Sequence, residues 1–99
     1  MARRPPDDLD VFIAERAADN PELPGMVEAH LQRRRLQRGL AEHRIVVGLS
    51  QTEVARRMGT SQSAVARIEA ADIDAKVSTL QRYALAIGYQ IEFSLRPAS

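Results

Sequence analysis

The run Ser50-Gln51-Thr52-Glu53-Val54-Ala55-Arg56-Arg57-Met58-Gly59-Thr60-Ser61-Gln62-Ser63-Ala64-Val65-Ala66-Arg67-Ile68-Glu69 decides how this chain folds. It predicts two short helices. Ser50 to Glu53 has the spacing of a capping box, in which the serine accepts from the amide three residues on and the glutamate reaches back. Val54, Ala55 and Met58 give the first helix an apolar face, and Gly59 supplies the positive φ of a tight turn. Ser61 caps a second helix from Gln62 to about Ala70. Together they form a helix–turn–helix over 50–69. At about 100° per residue, Ala64, Val65 and Ile68 share one face of the second helix and Gln62, Ser63, Ala66 and Arg67 share the other. The second set carries no acid and suits a DNA major groove. Glutamine can pair with adenine, arginine with guanine, and an alanine methyl can touch a thymine methyl.

Working outward, Ser78-Thr79-Leu80-Gln81 reads as another capping box after a loop at Asp72 to Val77, opening a helix with Leu80, Tyr83, Ala84 and Ile87 on one face. Gly88 stops it. Tyr89, Ile91, Phe93 and Leu95 then alternate with polar residues up to Pro97, which predicts a strand. On the other side, a helix is expected from about Met26 to Val47, interrupted by Gly39 and ended by Gly48. Leu9, Phe12, Ile13 and Ala17 predict an amphipathic helix over 9–19 capped by Asp7 or Asp8, separated from the next by Asn20-Pro21-Glu22-Leu23-Pro24-Gly25.

Composition narrows the function classes. Ninety-nine residues with 44% hydrophobic content make one small domain, and four aromatics leave its core aliphatic. Without cysteine there are no disulfides, thiolate nucleophiles or zinc fingers, and His30 and His43 lack metal-pair spacing, so no metal or cofactor is expected. No nucleophile elbow or Gly-rich phosphate loop points to an enzyme. No apolar run reaches membrane-spanning length and no signal peptide is recognisable, so a cytoplasmic, nucleoid-associated protein is expected. The net charge of +1 hides an asymmetry: residues 1–29 carry −4 and residues 30–58 carry +5. A basic middle suits an anionic partner.

Residues 40 to 88 resemble the Xre/Cro-type helix–turn–helix family of phage and bacterial repressors. The match runs through Gly48-Leu49-Ser50-Gln51, Val54-Ala55, Met58-Gly59, Ser61-Gln62-Ser63, Val65, Ile68-Glu69, Thr79-Leu80 and Ala86-Ile87-Gly88. Arg67-Ile68-Glu69, Ser78 to Tyr83 and Ile87-Gly88 followed by a strand look more narrowly like HigA-type antitoxins, the DNA-binding halves of type II toxin–antitoxin pairs. The resemblance implies that Gln51 and Ser61 hold DNA phosphates, that Gln62, Ser63 and Arg67 face base edges, and that Arg44 and Glu69 form a structural salt bridge. It departs from the family at His43, usually apolar, and at Ala70-Ala71, usually Asn-Gly. Asp72 and Asp74 also occupy a loop that in relatives often carries cations. That departure shifts the phosphate-contacting charge toward Arg33 to Arg38, or Arg56 and Arg57.

The expected fold is all-α: a five-helix, lambda-repressor-like helix–turn–helix domain with one C-terminal strand. Its parts are an acidic N-terminal helix and linker (1–25), the DNA-binding domain (26–88) and a dimerisation strand (89–97). A lone strand leaves its backbone groups unpaired, so two copies are expected to join there through Tyr89, Ile91, Phe93 and Leu95. The expected function is a repressor that reads an inverted-repeat operator as a homodimer and neutralises a cognate RNA-cleaving toxin. The alternatives are a stand-alone repressor and an interaction adaptor that has lost DNA binding. The acidic helix 7–20 either packs on the protein's own core or meets the toxin.

Overall fold

In a computed structural model, residues 21–97 fold around four α-helices. Helix α1 spans Leu23–Val46, α2 Gln51–Met58, α3 Gln62–Glu69 and α4 Val77–Ala86. The second and third are the helix–turn–helix. They pack on each other, and α1 and α4 close around them.

Helix α1 opens earlier than the sequence spacing suggests. Pro24 sits in its first turn, where a missing N–H costs no helical bond. Gly39 does not interrupt it, because Leu36 and Leu40 on either side pack into the core and outweigh glycine's poor propensity of about 1 kcal/mol. Only Gln37 and Leu40 of its 24 residues are buried, both in its C-terminal half.

The caps show where local signals hold. Ser50 Oγ accepts from Glu53 N at 3.0 Å, and Ser61 Oγ accepts from Ala64 N at 3.1 Å. The return half of the first box is absent, because the Glu53 carboxylate turns to Arg56 and Arg57 instead. The capping box expected at Ser78 does not form. Helix α4 begins at Val77 behind Lys76, so Ser78 already lies in its first turn. Helix α2 ends in a Schellman motif, with Thr60 N bonded to Ala55 O at 2.9 Å and Gly59 N to Arg56 O at 3.2 Å. The left-handed residue is Gly59, at φ 73°. Helix α3 ends in the same pair of bonds, but with Ala71 at φ 57° in glycine's place. Its methyl is buried, which offsets the conformational cost.

The core is aliphatic around one phenol: Val54, Val65, Tyr83 and Ala84 have no exposed surface, and Leu80 and Ile68 nearly none.

Two parts of the expected fold require correction. Among the described residues there are four helices, not five; the fifth, expected at 9–19, lies outside them. The C-terminal strand is also not formed. Residues 89–97 form neither helix nor strand. Alternation measures which side chains face the protein, but a strand is defined by backbone pairing, and no second strand is at hand among the described residues. Ile91 packs against the core and Tyr89 meets the His43 ring edge-on, 4.7 Å between centroids. Phe93 and Leu95 point away, 61% and 103% exposed.

A Cβ at Gly59 would meet no atom within 4 Å, so the cost of Gly59→Ala is purely conformational. We expect Gly59→Ala to lower the unfolding free energy by about 1 kcal/mol, read as a shifted urea midpoint at unchanged slope.

Candidate nucleic-acid interface

Helix α3 is held by its apolar face, since Val65 and Ile68 are buried. That leaves Gln62, Ser63 and Arg67 exposed and Ala66 half-buried on the opposite side. No acid stands among these four. Glu69, the nearest carboxylate along the helix, is turned inward and only 7% exposed.

Glu69 is the hub of a polar network. Arg44 grips it with two bonds, Nε to Oε2 at 2.7 Å and Nη2 to Oε1 at 3.0 Å. The same guanidinium donates to Leu49 O at 2.8 Å, holding the chain between α1 and α2. The Tyr83 hydroxyl donates to Glu69 Oε2 from α4. Gln51 Nε2 donates to Glu69 Oε1 at 3.0 Å from the start of α2. Gln51 Oε1 in turn accepts from Gln62 Nε2 at 2.5 Å. One carboxylate therefore ties all four helices, and the chain of bonds ends on the first residue of α3.

Burial alone would raise the Glu69 pKa, but the bonds from Arg44, Tyr83 and Gln51 outweigh it and hold the carboxyl below its ordinary value. The bond to Glu69 raises Arg44 further. Burial, followed by the Glu69 bond, pushes the Tyr83 phenol up, so it stays a donor.

The sequence-singled residues divide into three groups. Gln51, Gln62, Arg44 and Glu69 come together in this network. Ser61 and Ser63 stand beside it, their hydroxyls 3.3 Å apart at the start of α3. Arg56, expected to supply phosphate-contacting charge, is instead engaged by Glu53, with Nη2 at 2.5 Å and Nε at 3.0 Å. Arg57 is bonded to the same carboxylate and to Ala86 O, where it caps the end of α4. The bonds to Arg56, then to Arg57, pull the Glu53 pKa to about 2.

Two contributors had no functional reading in the sequence. Tyr83 read only as an apolar-face residue, yet its hydroxyl reaches Glu69. Gln37 is completely buried and donates through Nε2 to Ile68 O at 2.9 Å and Ile73 O at 3.1 Å. It thereby pins the end of α3 and the loop after it to α1. The available signal was an amide flanked by Leu36 and Leu40, two leucines of the helix's core-facing stripe. Among the described residues, no group of three His, Cys, Asp or Glu side chains is placed to hold a metal ion, and no helix is long and apolar enough to cross a membrane.

A helix-turn-helix family profile matches residues 40–93. Two curated relatives, both named antitoxin HigA1, come from Mycobacterium tuberculosis strains CDC 1551 / Oshkosh and ATCC 25618 / H37Rv. Each is 43% identical over 89 residues, 90% of this chain and 60% of the relative. The chain thus spans about three fifths of the length of these relatives. No solved structure matches it.

The native Glu69 pKa lies below that of the unfolded chain, so the unfolded state binds this proton more tightly. Its contribution is complete above the ordinary carboxylate pKa of about 4.3 and is lost as pH falls through the lower folded value. We expect Glu69→Gln to cost about 2–3 kcal/mol at pH 7 by urea unfolding, and to flatten the acid-side decline of stability seen in the wild type. Placed on the residues that fold α2 against α3, the profile settles the classification: this chain belongs to the helix-turn-helix family.

Proposed function

We propose that this chain is a sequence-specific DNA-binding repressor and the antitoxin of a toxin–antitoxin pair. The observation that carries the DNA reading is the face of α3. Gln62, Ser63 and Arg67 are exposed, Ala66 beside them is small enough for close approach, and Glu69, the acid of this helix, is locked inward by Arg44. The antitoxin reading rests on the similarity to proteins named antitoxin HigA1 over most of this chain.

The mechanism follows from the network. Binding costs less when the reading side chains are already ordered. Gln62 enters the groove supported by Gln51, itself supported by Glu69. The N-termini of α2 and α3 present free amides to phosphates, and Gln51 and Ser61 stand at those ends. Arg67 lies on the reading face toward the far end of α3, where it addresses guanine. Phosphate contacts fix register, and base edges supply sequence choice. An occupied promoter excludes polymerase in the cytoplasm, and a bound toxin, an RNA-cleaving protein, is held inactive.

An inverted-repeat operator calls for two copies with recognition helices about one DNA turn, ~34 Å, apart. Of the four tail residues, Ile91 and Tyr89 are engaged within the chain. Phe93 and Leu95 are therefore the apolar side chains left for a second copy.

The test is fluorescence anisotropy with DNA from upstream of the protein's own gene and with a scrambled duplex. Specific binding that Arg67→Ala weakens by about 1–3 kcal/mol supports the reading. Equal, salt-quenched binding to both duplexes removes sequence readout, and no binding at all leaves an interaction adaptor. Light scattering checks the assembly: a dimer that becomes monomeric in the Phe93→Ser/Leu95→Ser double variant is the expected result.

A further inference from the structure

The cations nearest the reading helix in sequence are not the free ones. Arg56 and Arg57 share the Glu53 carboxylate, and the loop after α3 carries Asp72 and Asp74 with Lys76 alone. Helix α1 holds five further arginines, Arg33, Arg34, Arg35, Arg38 and Arg44, and its orientation is fixed at one buried point. Gln37 bonds to Ile68 O and Ile73 O, so its face of α1 looks onto the end of α3 and the acidic loop. Residues three, four and seven positions earlier share that face of a helix, within about 60° of Gln37. They are Arg34, Arg33 and His30. His30 shows that the face keeps its direction, with Nδ1 lying 3.4 Å from Asp74 Oδ1. Among the described residues, neither Arg33 nor Arg34 has an acidic partner, whereas Arg35, on the other side of the helix, lies 3.9 Å from Glu28.

We propose that the N-terminal half of α1 is a second phosphate-binding element, in which Arg33 and Arg34 contact the DNA backbone next to the loop at 70–76. This rests on the DNA-binding reading of α3. The loop adjoins the reading face, with Asp72 N bonded to Arg67 O, but its Asp72 and Asp74 repel phosphate. The α1 extension passes that loop, His30 reaches Asp74, and the two unpaired guanidiniums beside it bring the positive charge that the loop lacks. Arginine suits the role because its planar fork can hold a phosphate with two bonds. Such contacts carry no base information, so they add affinity equally to every sequence and deepen the dependence on salt.

The test compares three single variants, Arg33→Gln, Arg34→Gln and Arg35→Gln, each of which removes one charge within three consecutive residues. Anisotropy is measured on the upstream duplex and a scrambled duplex between about 50 and 200 mM salt, with circular dichroism confirming an unchanged fold. Losing a phosphate contact should lower the slope of log K against log salt by about 1, so Arg33→Gln and Arg34→Gln each do so on both duplexes. The preference between duplexes stays as in the wild type, and Arg35→Gln keeps the wild-type slope. Slopes for Arg33→Gln and Arg34→Gln equal to that of Arg35→Gln, with operator binding intact, would overturn the α1 element alone. Failure of the wild type to bind either duplex would overturn the DNA reading and the α1 element with it.

Discussion

One carboxylate organises this domain. Glu69 ends the helix whose opposite face is exposed, and it is drawn inward by groups from three other helices: Arg44, Gln51 and Tyr83. A buried charge without partners would cost several kcal/mol. Here both oxygens are bonded, and the Arg44 charge stands against that of Glu69. The pair therefore acts less as a source of net stability than as a device that admits one arrangement of the helices. Removing any partner leaves the others exposed to the desolvation cost.

The same network settles which side chains remain free to act. Gln51 divides its amide between Glu69 and Gln62, so the start of α2 and the start of α3 are mechanically one unit. Glu53 performs the opposite service at the surface, binding Arg56 and Arg57 and removing them from the pool of unpaired cations. Gln37 extends the scaffold to the end of α3. Its Oε1 has no partner among the described residues, a cost tolerated because its amide satisfies Ile68 O at the end of α3 and Ile73 O in the following loop. Charge that the sequence spreads over the whole middle of the chain is thus sorted by folding into paired arginines and free ones.

Legibility followed the range of the interaction. The serine caps at 50 and 61, the glycine turn at 59 and the two-faced α3 are local, involving neighbours within four residues, and the sequence shows all of them. The capping box at 78–81 has an equally good local pattern and fails, because α4 starts one residue before it and Ser78 is already within the helix. The role of Tyr83 was hidden for the opposite reason. A tyrosine at core spacing reads as apolar, and its hydroxyl finds Glu69 only through a contact across fourteen residues.

By itself the sequence determined the helix–turn–helix, the polarity of α3 and the aliphatic character of the core, since spacing, caps and composition are properties of short segments. The pairing of Arg44 with Glu69 was readable only through likeness to known repressors. Tertiary structure alone decided that Gln37 is buried, that Arg56 and Arg57 are tied while Arg33 and Arg34 have no acidic partner among the described residues, and that the alternating tail forms no ladder there. Each of these depends on which distant groups come within hydrogen-bonding distance, and a strand in particular depends on a second backbone that a period of two cannot supply.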